Sequence, residues 1–388
     1  MNMIKRKQIS DWGGWLFILL CLVLIMGHSN GMITLYALFC VFFMLKIHKI
    51  DNTSILLAVF SLSYMLFSYL NGAVKTLDGL LIYGLPWFFF YNYGKYVTER
   101  SNDERSLIDF LLIIAFLGGL MVYFTTIQRI IATGSMLYTS RKFYLFEEES
   151  RQISGNLICV NVYMGYVVLA AFFLLKKWKI ERWLFLGLFV LSIIVAFNVI
   201  SRFPIVAAIL CFVAVVFIKY RGKPGALIGV LITIMGLGYI LFSQSTDLGL
   251  VFDAYSARNE DLDNVLTFSN RSYRWTDAFE KMFQYPFGWY GKGKSYVFVH
   301  NMWLDIAKYS GIIPFILLVI VTIKSFITNY KILKIRESAL AFIFFSLNLC
   351  FFLVAFVEPL YGGISVSLCC LVWGMQASYL NRIRNNSI

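Results

Sequence analysis

Charge is scarce in this 388-residue sequence. Only 14% of its residues are Asp, Glu, Lys or Arg, while 60% are hydrophobic. A soluble domain carries about a quarter charged residues, so a water-soluble globule is excluded. So apolar a chain can satisfy its buried backbone only as membrane helices or as a closed barrel. The apolar–polar alternation over about ten residues that barrel strands need is also missing. What the sequence has instead are unbroken apolar runs, at 12–27, 31–46, 54–71, 78–94, 107–128, 156–175, 183–200, 204–219, 225–243, 312–327, 338–357 and 363–381. Each is near the length of a helical membrane span. The fold expected is all-α: a polytopic helical membrane protein, 1–388 as a single membrane domain, with about 12 transmembrane helices and a large helical extracytoplasmic loop.

No A-x-A cleavage site follows the first run, and Lys5, Arg6 and Lys7 precede it, so it reads as a retained span. With the N-terminus in the cytoplasm, alternation through the runs puts 21 of the 34 basic residues on the inside, spread over every inside segment. The positive-inside rule therefore places both termini in the cytoplasm. The other 13 basic residues sit on the disfavoured side: Lys75, four in 129–154, Arg202, and seven between 244 and 311. Part of the net charge of +13 is thus topology, not a nucleic-acid signal, and the outward remainder calls for an anionic partner. The loops 129–154 and 244–300 are where an extracytoplasmic active site is expected, because loops of that length are seldom mere connections.

Cysteine is missing from the outside loops. Cys21, Cys40, Cys159, Cys211, Cys350, Cys369 and Cys370 all fall inside the apolar runs, without metal-type spacing, and read as small apolar fillers. Asp261-Leu-Asp263 has a D-x-D form but no nearby histidine and no defined element, so no metal is assigned. The stretch GWYGKGKS, Gly288 to Ser295, fits the P-loop pattern letter by letter. A P-loop follows a buried strand and opens a helix at its Lys-Ser end. Here a helix stopped by Pro286 precedes it and YVFVHNMW follows it. It reads as a glycine turn, and no nucleoside triphosphate is expected to bind.

Three places carry outward chemistry. In NRSYRWTDAFEKMFQ, apolar residues at Trp275, Ala278, Phe279, Met282 and Phe283 form the stripe of a helix lying on an apolar surface. Asn270 is a fair cap, which makes Arg271 the first helical residue, with Arg274 nearer the stripe's edge. Arg271 at a helix N-terminus suits phosphate; the plainer alternative is an arginine snorkelling to lipid headgroups. In VHNMWLDIAKYSGIIP, Asn301 can cap a short helix through Ser310, Gly311 can end it, and Pro314 suits the first turn of the next span. That leaves His300 at the mouth of a membrane helix, able to serve as acid or base near neutral pH, or simply bonded at the interface. Arg202 lies in a tight turn between two runs, where its charge needs a partner. Ahead of the sixth run, FEEESRQISGN carries Glu147, Glu148, Glu149 and Arg151, and the acidic residues read as a solvated face.

Taken in order, an SR opening a span, R-x-x-x-W opening an amphipathic helix, P-x-G, and HN-x-x-L before a late G-I-I resemble the O-antigen polymerase and ligase superfamily. The resemblance covers mainly 141–315 together with the twelve-span pattern. It implies a bacterial cytoplasmic (inner) membrane enzyme with its site on the periplasmic side, acting on undecaprenyl-pyrophosphate-linked oligosaccharide without metal or other cofactor. It implies His300, Arg271 and Arg202 as catalytic residues. Arg151, Arg274, Asn301 and Arg141 are implied as substrate-binding residues, and the choice between Arg271 and Arg274 stays open. Membrane lipids and a polysaccharide chain-length regulator are the further partners, with no nucleic acid. Pyrophosphate is already a good leaving group, so permanently charged, bidentate guanidinium groups meet the main demand. A neutral His300 could take the proton of an acceptor sugar hydroxyl. Polymerase is favoured over ligase by analogy alone. A flippase or transporter is the alternative from another class, but the internal repeats and mid-membrane ionisable residues it calls for are not evident in the sequence.

Overall fold

The computed structural model describes residues 50–101, 103–135, 143–144, 152–153, 203–220, 267–292, 299–357 and 364–385, with isolated positions at 187, 190–192, 194–195, 198 and 225. Among these, the chain is helical apart from one minimal ladder. The helices are α1 (Asn52–Leu70), α2 (Leu77–Arg100), α3 (Glu104–Thr133), α4 (Phe203–Lys219), α5 (Thr267–Gln284), α6 (Met302–Ser310), α7 (Ile312–Ile335), α8 (Ala339–Val357) and α9 (Ile364–Asn385). Side-chain caps set several starts: Asp51 accepts from the Ser54 amide, Thr76 from Gly79 and Asp103 from Ser106. Each cap satisfies one of the amides that a helix N-terminus leaves without an intrahelical acceptor.

Three of these helices, at Asn52–Leu70, Ile312–Ile335 and Ala339–Phe356, are long and apolar enough to cross a membrane. Helices α1–α4 and α7–α9 correspond to seven of the apolar runs. The runs 12–27, 31–46, 156–175, 183–200 and 225–243 lie wholly or mostly outside the described residues. One boundary shifts. The segment 129–154 is not loop from its first residue: α3 runs on to Thr133 and ends at the left-handed cap Gly134, so Arg129 is helical and buried. The helix stops where its cap chemistry lies, not where the apolar run fades. Beyond it, β1 (Phe143–Tyr144) pairs antiparallel with β2 (Gln152–Ile153), a two-residue ladder that leaves the all-helical character unchanged.

The core is built on close pairs. Gly94 of α2 lies against Leu371 of α9, and Gly374 of α9 against Tyr91 and Lys95; a Cβ at either glycine would overlap a backbone carbonyl. Small residues at such crossings let helix backbones approach in lipid, where water supplies no driving force. Arg382 donates to the Ser101 carbonyl at 2.8 Å, which makes the α2–α9 pair parallel. Helices α4 and α8 run antiparallel, with Cys211 Sγ 3.3 Å from Cys350 Sγ and Val215 packed with Phe342. Cys211, Cys350, Cys369 and Cys370 are buried free thiols, as apolar fillers would be; Cys21, Cys40 and Cys159 lie outside the described residues.

The bundle has two chemically different ends. At one, Lys95 meets Asp51 at 3.3 Å, Arg336 meets Glu104 at 2.9 Å, and Arg382 holds Ser101. The other end carries Asn71, the C-cap of α1, and the junction of α6 with α7. There Asn71 Nδ2 donates to the carbonyls of Phe287 and Tyr309.

Candidate functional site

Helix α6 forms as its sequence dictates. Asn301 Oδ1 accepts from the Leu304 amide at 3.1 Å, and the helix closes at Gly311 after Ser310. Pro314 then stands in the first turn of α7, where its missing N–H costs no bond. The second face of Asn301 is engaged as well: Nδ2 donates to the Phe356 carbonyl of α8 at 3.3 Å. Asn301, expected to bind substrate, is thus a cap and an inter-helix tie whose side chain is spent inside the protein.

His300 has a backbone φ of 60°, the one non-glycine residue with positive φ among those described. A left-handed backbone costs an ordinary L-residue roughly 1–2 kcal/mol. Bracketing it is Asp305, at 0% exposure. Its Oδ1 accepts from the Val299 amide at 2.8 Å and its Oδ2 from the Asn301 amide at 3.3 Å, one on each side of His300. Burial pushes the Asp305 carboxyl up to about 6, against the lowering effect of those two amides, Lys308 and His300. Lys308, buried one turn later, has its pKa lowered by the same desolvation, with Asp305 opposing and Lys281 reinforcing the shift.

Helix α5 packs on this unit. Ala278 and Met282 are each 1% exposed and cluster with Trp289, Val299, Leu304 and Ala307. The Trp275 ring meets Phe356 edge-on at 4.9 Å, beside the carbonyl that Asn301 holds. The predicted stripe splits, however: Phe279 and Phe283 are 51% and 61% exposed, stacked edge to face against each other at 5.3 Å. The helix start also differs from expectation. It begins at Thr267, so Asn270 is inside it and Arg271 stands in the second turn. Phe268 lies seven residues before Trp275 and so carries the apolar period one repeat further back than the cap suggested. Arg274, one residue before Trp275, is half-buried.

The glycine turn after α5 is folded inward. The amides of Trp289 and Tyr290 both donate to the Lys308 carbonyl, at 3.0 and 3.1 Å, and Ile312 donates to Pro286 at 2.9 Å. Gly288 has φ 108° and Gly311 φ 87°; a Cβ at Gly288 would run into the Asn71 side-chain amide, and one at Gly311 into the Pro286–Phe287 backbone. A phosphate cradle needs such amides turned outward. Lys292 stacks on Tyr285 at 5.2 Å, while Gly293, Lys294 and Ser295 lie outside the described residues.

Helix α4 contributes its position. Cys211 faces Cys350 and Val215 faces Phe342, so the N-terminal end of α4 lies towards Phe356, at the His300 end of the bundle. Arg202, which immediately precedes α4, is outside the described residues, as are Arg141, Arg151 and Glu147–Glu149. In sequence Arg151 and the acidic run fall between β1 and β2. Among the described residues no group of three His, Cys, Asp or Glu is placed to hold a metal. Sequence reasoning missed Asp305, Lys308 and Asn71. An acid four residues past a cap is a readable sign for Asp305, whereas nothing local marks Asn71.

The chain matches no protein-family model and no curated protein.

Proposed function

We propose that this chain polymerises undecaprenyl-pyrophosphate-linked oligosaccharide repeat units into a bacterial surface polysaccharide of the O-antigen type. The observation that carries the reading is a convergence: the start of α4, the helix bearing Arg271 and Arg274, and the His300–Asn301 corner share one end of the bundle. These are the places that the resemblance marks as functional. Supporting the orientation, Lys95, Arg100, Arg336, Arg382 and Arg384 gather towards the opposite end, which the positive-inside rule makes cytoplasmic. The twelve-span architecture, the extracytoplasmic loops and the inner-membrane location belong to the same reading.

In the reaction, the acceptor sugar hydroxyl attacks the anomeric carbon of the growing chain. A glycosidic bond forms, the bond from that carbon to the phosphate oxygen breaks, and undecaprenyl pyrophosphate leaves with the electron pair. His300 takes the hydroxyl proton. Arg202 with Arg271 or Arg274 stabilises the charge that builds on the leaving group. Ligation to a lipid A–core acceptor would use the same groups, and the acceptor supplied separates the two.

The test is reconstitution of the purified chain with a synthetic lipid-linked repeat, followed by a gel. The reading expects a ladder from the wild-type protein and a fall of roughly 10²–10⁴ in extension for His300→Ala, partly restored at higher pH. Absence of a ladder with lipid-linked repeat alone, and product only when a lipid A–core acceptor is added, would replace polymerase with ligase. No transfer to either acceptor overturns the reading.

A further inference from the structure

Asp305 does not fit the ordinary roles of a carboxylate in this chain. It has no exposure, so it cannot reach a substrate, and it is not a surface partner for Lys308. Both oxygens are turned back onto the main chain before its own helix, one to each amide flanking the single strained residue of the corner. A capping interaction alone would need the Asn301 amide only. The bond to Val299 reaches past the cap, across His300, to the residue on its far side.

We propose that Asp305 is the positioning residue of the His300 site: by holding the amides of Val299 and Asn301 it locks His300 into its left-handed backbone conformation and so fixes where the imidazole stands. This rests on the reading of His300 as the base of glycosyl transfer. The advantage of such a lock is orientation. A base that wanders by an ångström loses much of its effect, and a rigid main chain on both sides removes that freedom. Asparagine cannot replace the carboxylate, because one of its two positions becomes an N–H donor facing an amide N–H. Asp305 touches no reacting atom and is therefore not a catalytic residue.

The experiment uses membranes in which the full chain is the only copy, charged with the cell's own lipid-linked oligosaccharide. Asp305→Asn, His300→Ala and the double variant are compared at matched membrane levels, with hydrogen exchange of the peptide spanning Val299 and Asn301 measured on the purified proteins. Asp305→Asn is expected to slow extension by roughly 10- to 100-fold with the donor concentration for half-rate unchanged, and to lose protection at the two amides. In the His300→Ala background the same change is expected to cost less than about twofold, because a residue acting through His300 has nothing left to position. Should Asp305→Asn fail to reach the membrane, Asp305→Glu, which keeps the charge but displaces it by one methylene, carries the same comparison. Wild-type extension by Asp305→Asn, or an equal further loss on top of His300→Ala, overturns the inference. Wild-type extension by His300→Ala overturns the prior reading of the base and takes the role of Asp305 with it.

Discussion

Asp305 also ties the corner to pH. Burial pushes its carboxyl up to about 6 in the folded protein, from the ordinary carboxylate value of about 4. Between those values the folded chain keeps a proton that the unfolded chain has released. The stability this group contributes is therefore full below pH 4 and falls by about 3 kcal/mol as pH rises through 6, at 1.36 kcal/mol per unit. The charged and titratable groups facing it are His300 before its helix, Lys308 within it and Tyr64 of α1, with Lys281 of α5 against Lys308. Thermal unfolding of the solubilised protein at pH 4, 5, 6 and 7 should show this slope, and Asp305→Asn should remove it. A slope unchanged by the substitution would assign it to other groups. For the arginines, Arg271→Ala should lower chain extension by roughly 10²–10³ if its charge meets the leaving group in a poorly solvated site. Arg271→Lys should recover only part, because the planar fork is lost. The same pair of changes at Arg274 decides between the two arginines, and the one whose alanine variant keeps wild-type extension leaves the site.

At the scale of elements, α6 was legible in the sequence to the residue. The cap at Asn301, the end at Ser310, the stop at Gly311 and Pro314 in the next first turn are all local chemistry, which residue types announce directly. Helix α5 was legible only in part. Its period named Ala278 and Met282 but could not say that Phe279 and Phe283 would stay outside, since the neighbour it packs on is α6, a short helix too narrow to cover the whole stripe. The left-handed backbone at His300 was not legible, because even for histidine, which enters that region more often than most residues, it is uncommon, and the Asp305 bonds on either side of it leave no local sign. Asn71, which reaches carbonyls more than 200 residues away, left no local sign. The split of α5 predicts a contrast. Met282→Ala should cost about 2–5 kcal/mol of stability, the range for emptying a buried site. Phe283→Ala, exposed, should stay within about 0.5 kcal/mol, read as thermal unfolding of the solubilised protein. Equal losses would mean that both faces of the helix are packed. A second contrast concerns the α2–α9 pair. Gly374→Val drives two methyl groups towards the Tyr91 carbonyl, so the helices must separate. The variant is expected to be poorly inserted and rapidly degraded, whereas alanine at Gly291, whose Cβ would meet nothing within 4 Å, should still accumulate, at a cost of roughly 1–2 kcal/mol for the left-handed backbone there.

Among the described residues the bundle is polar along its helix axes, and this fixes its strongest test. Asp51 and Asn71 cap opposite ends of the same helix. Asp51 is tied to Ser54, the Tyr91 hydroxyl and Lys95 at the basic end, whereas the Asn71 side chain is tied to Phe287 of the glycine turn and Tyr309 of α6. On the proposed function, the glycan site lies at the Asn71 end and the basic residues at the other end face the anionic, cytoplasmic side. Single cysteines placed at exposed positions report this directly. Lys292→Cys lies in the glycine turn, and Arg384→Cys near the end of α9; both side chains are exposed, while the four described native cysteines are buried and offer little background. In intact spheroplasts a membrane-impermeant maleimide should label Lys292→Cys and spare Arg384→Cys, and permeabilisation should expose Arg384→Cys to label. The reverse pattern would put the His300 corner in the cytoplasm. No exported lipid-linked glycan could then reach it, and the assignment of this chain to extracytoplasmic polymerisation would fall with the orientation.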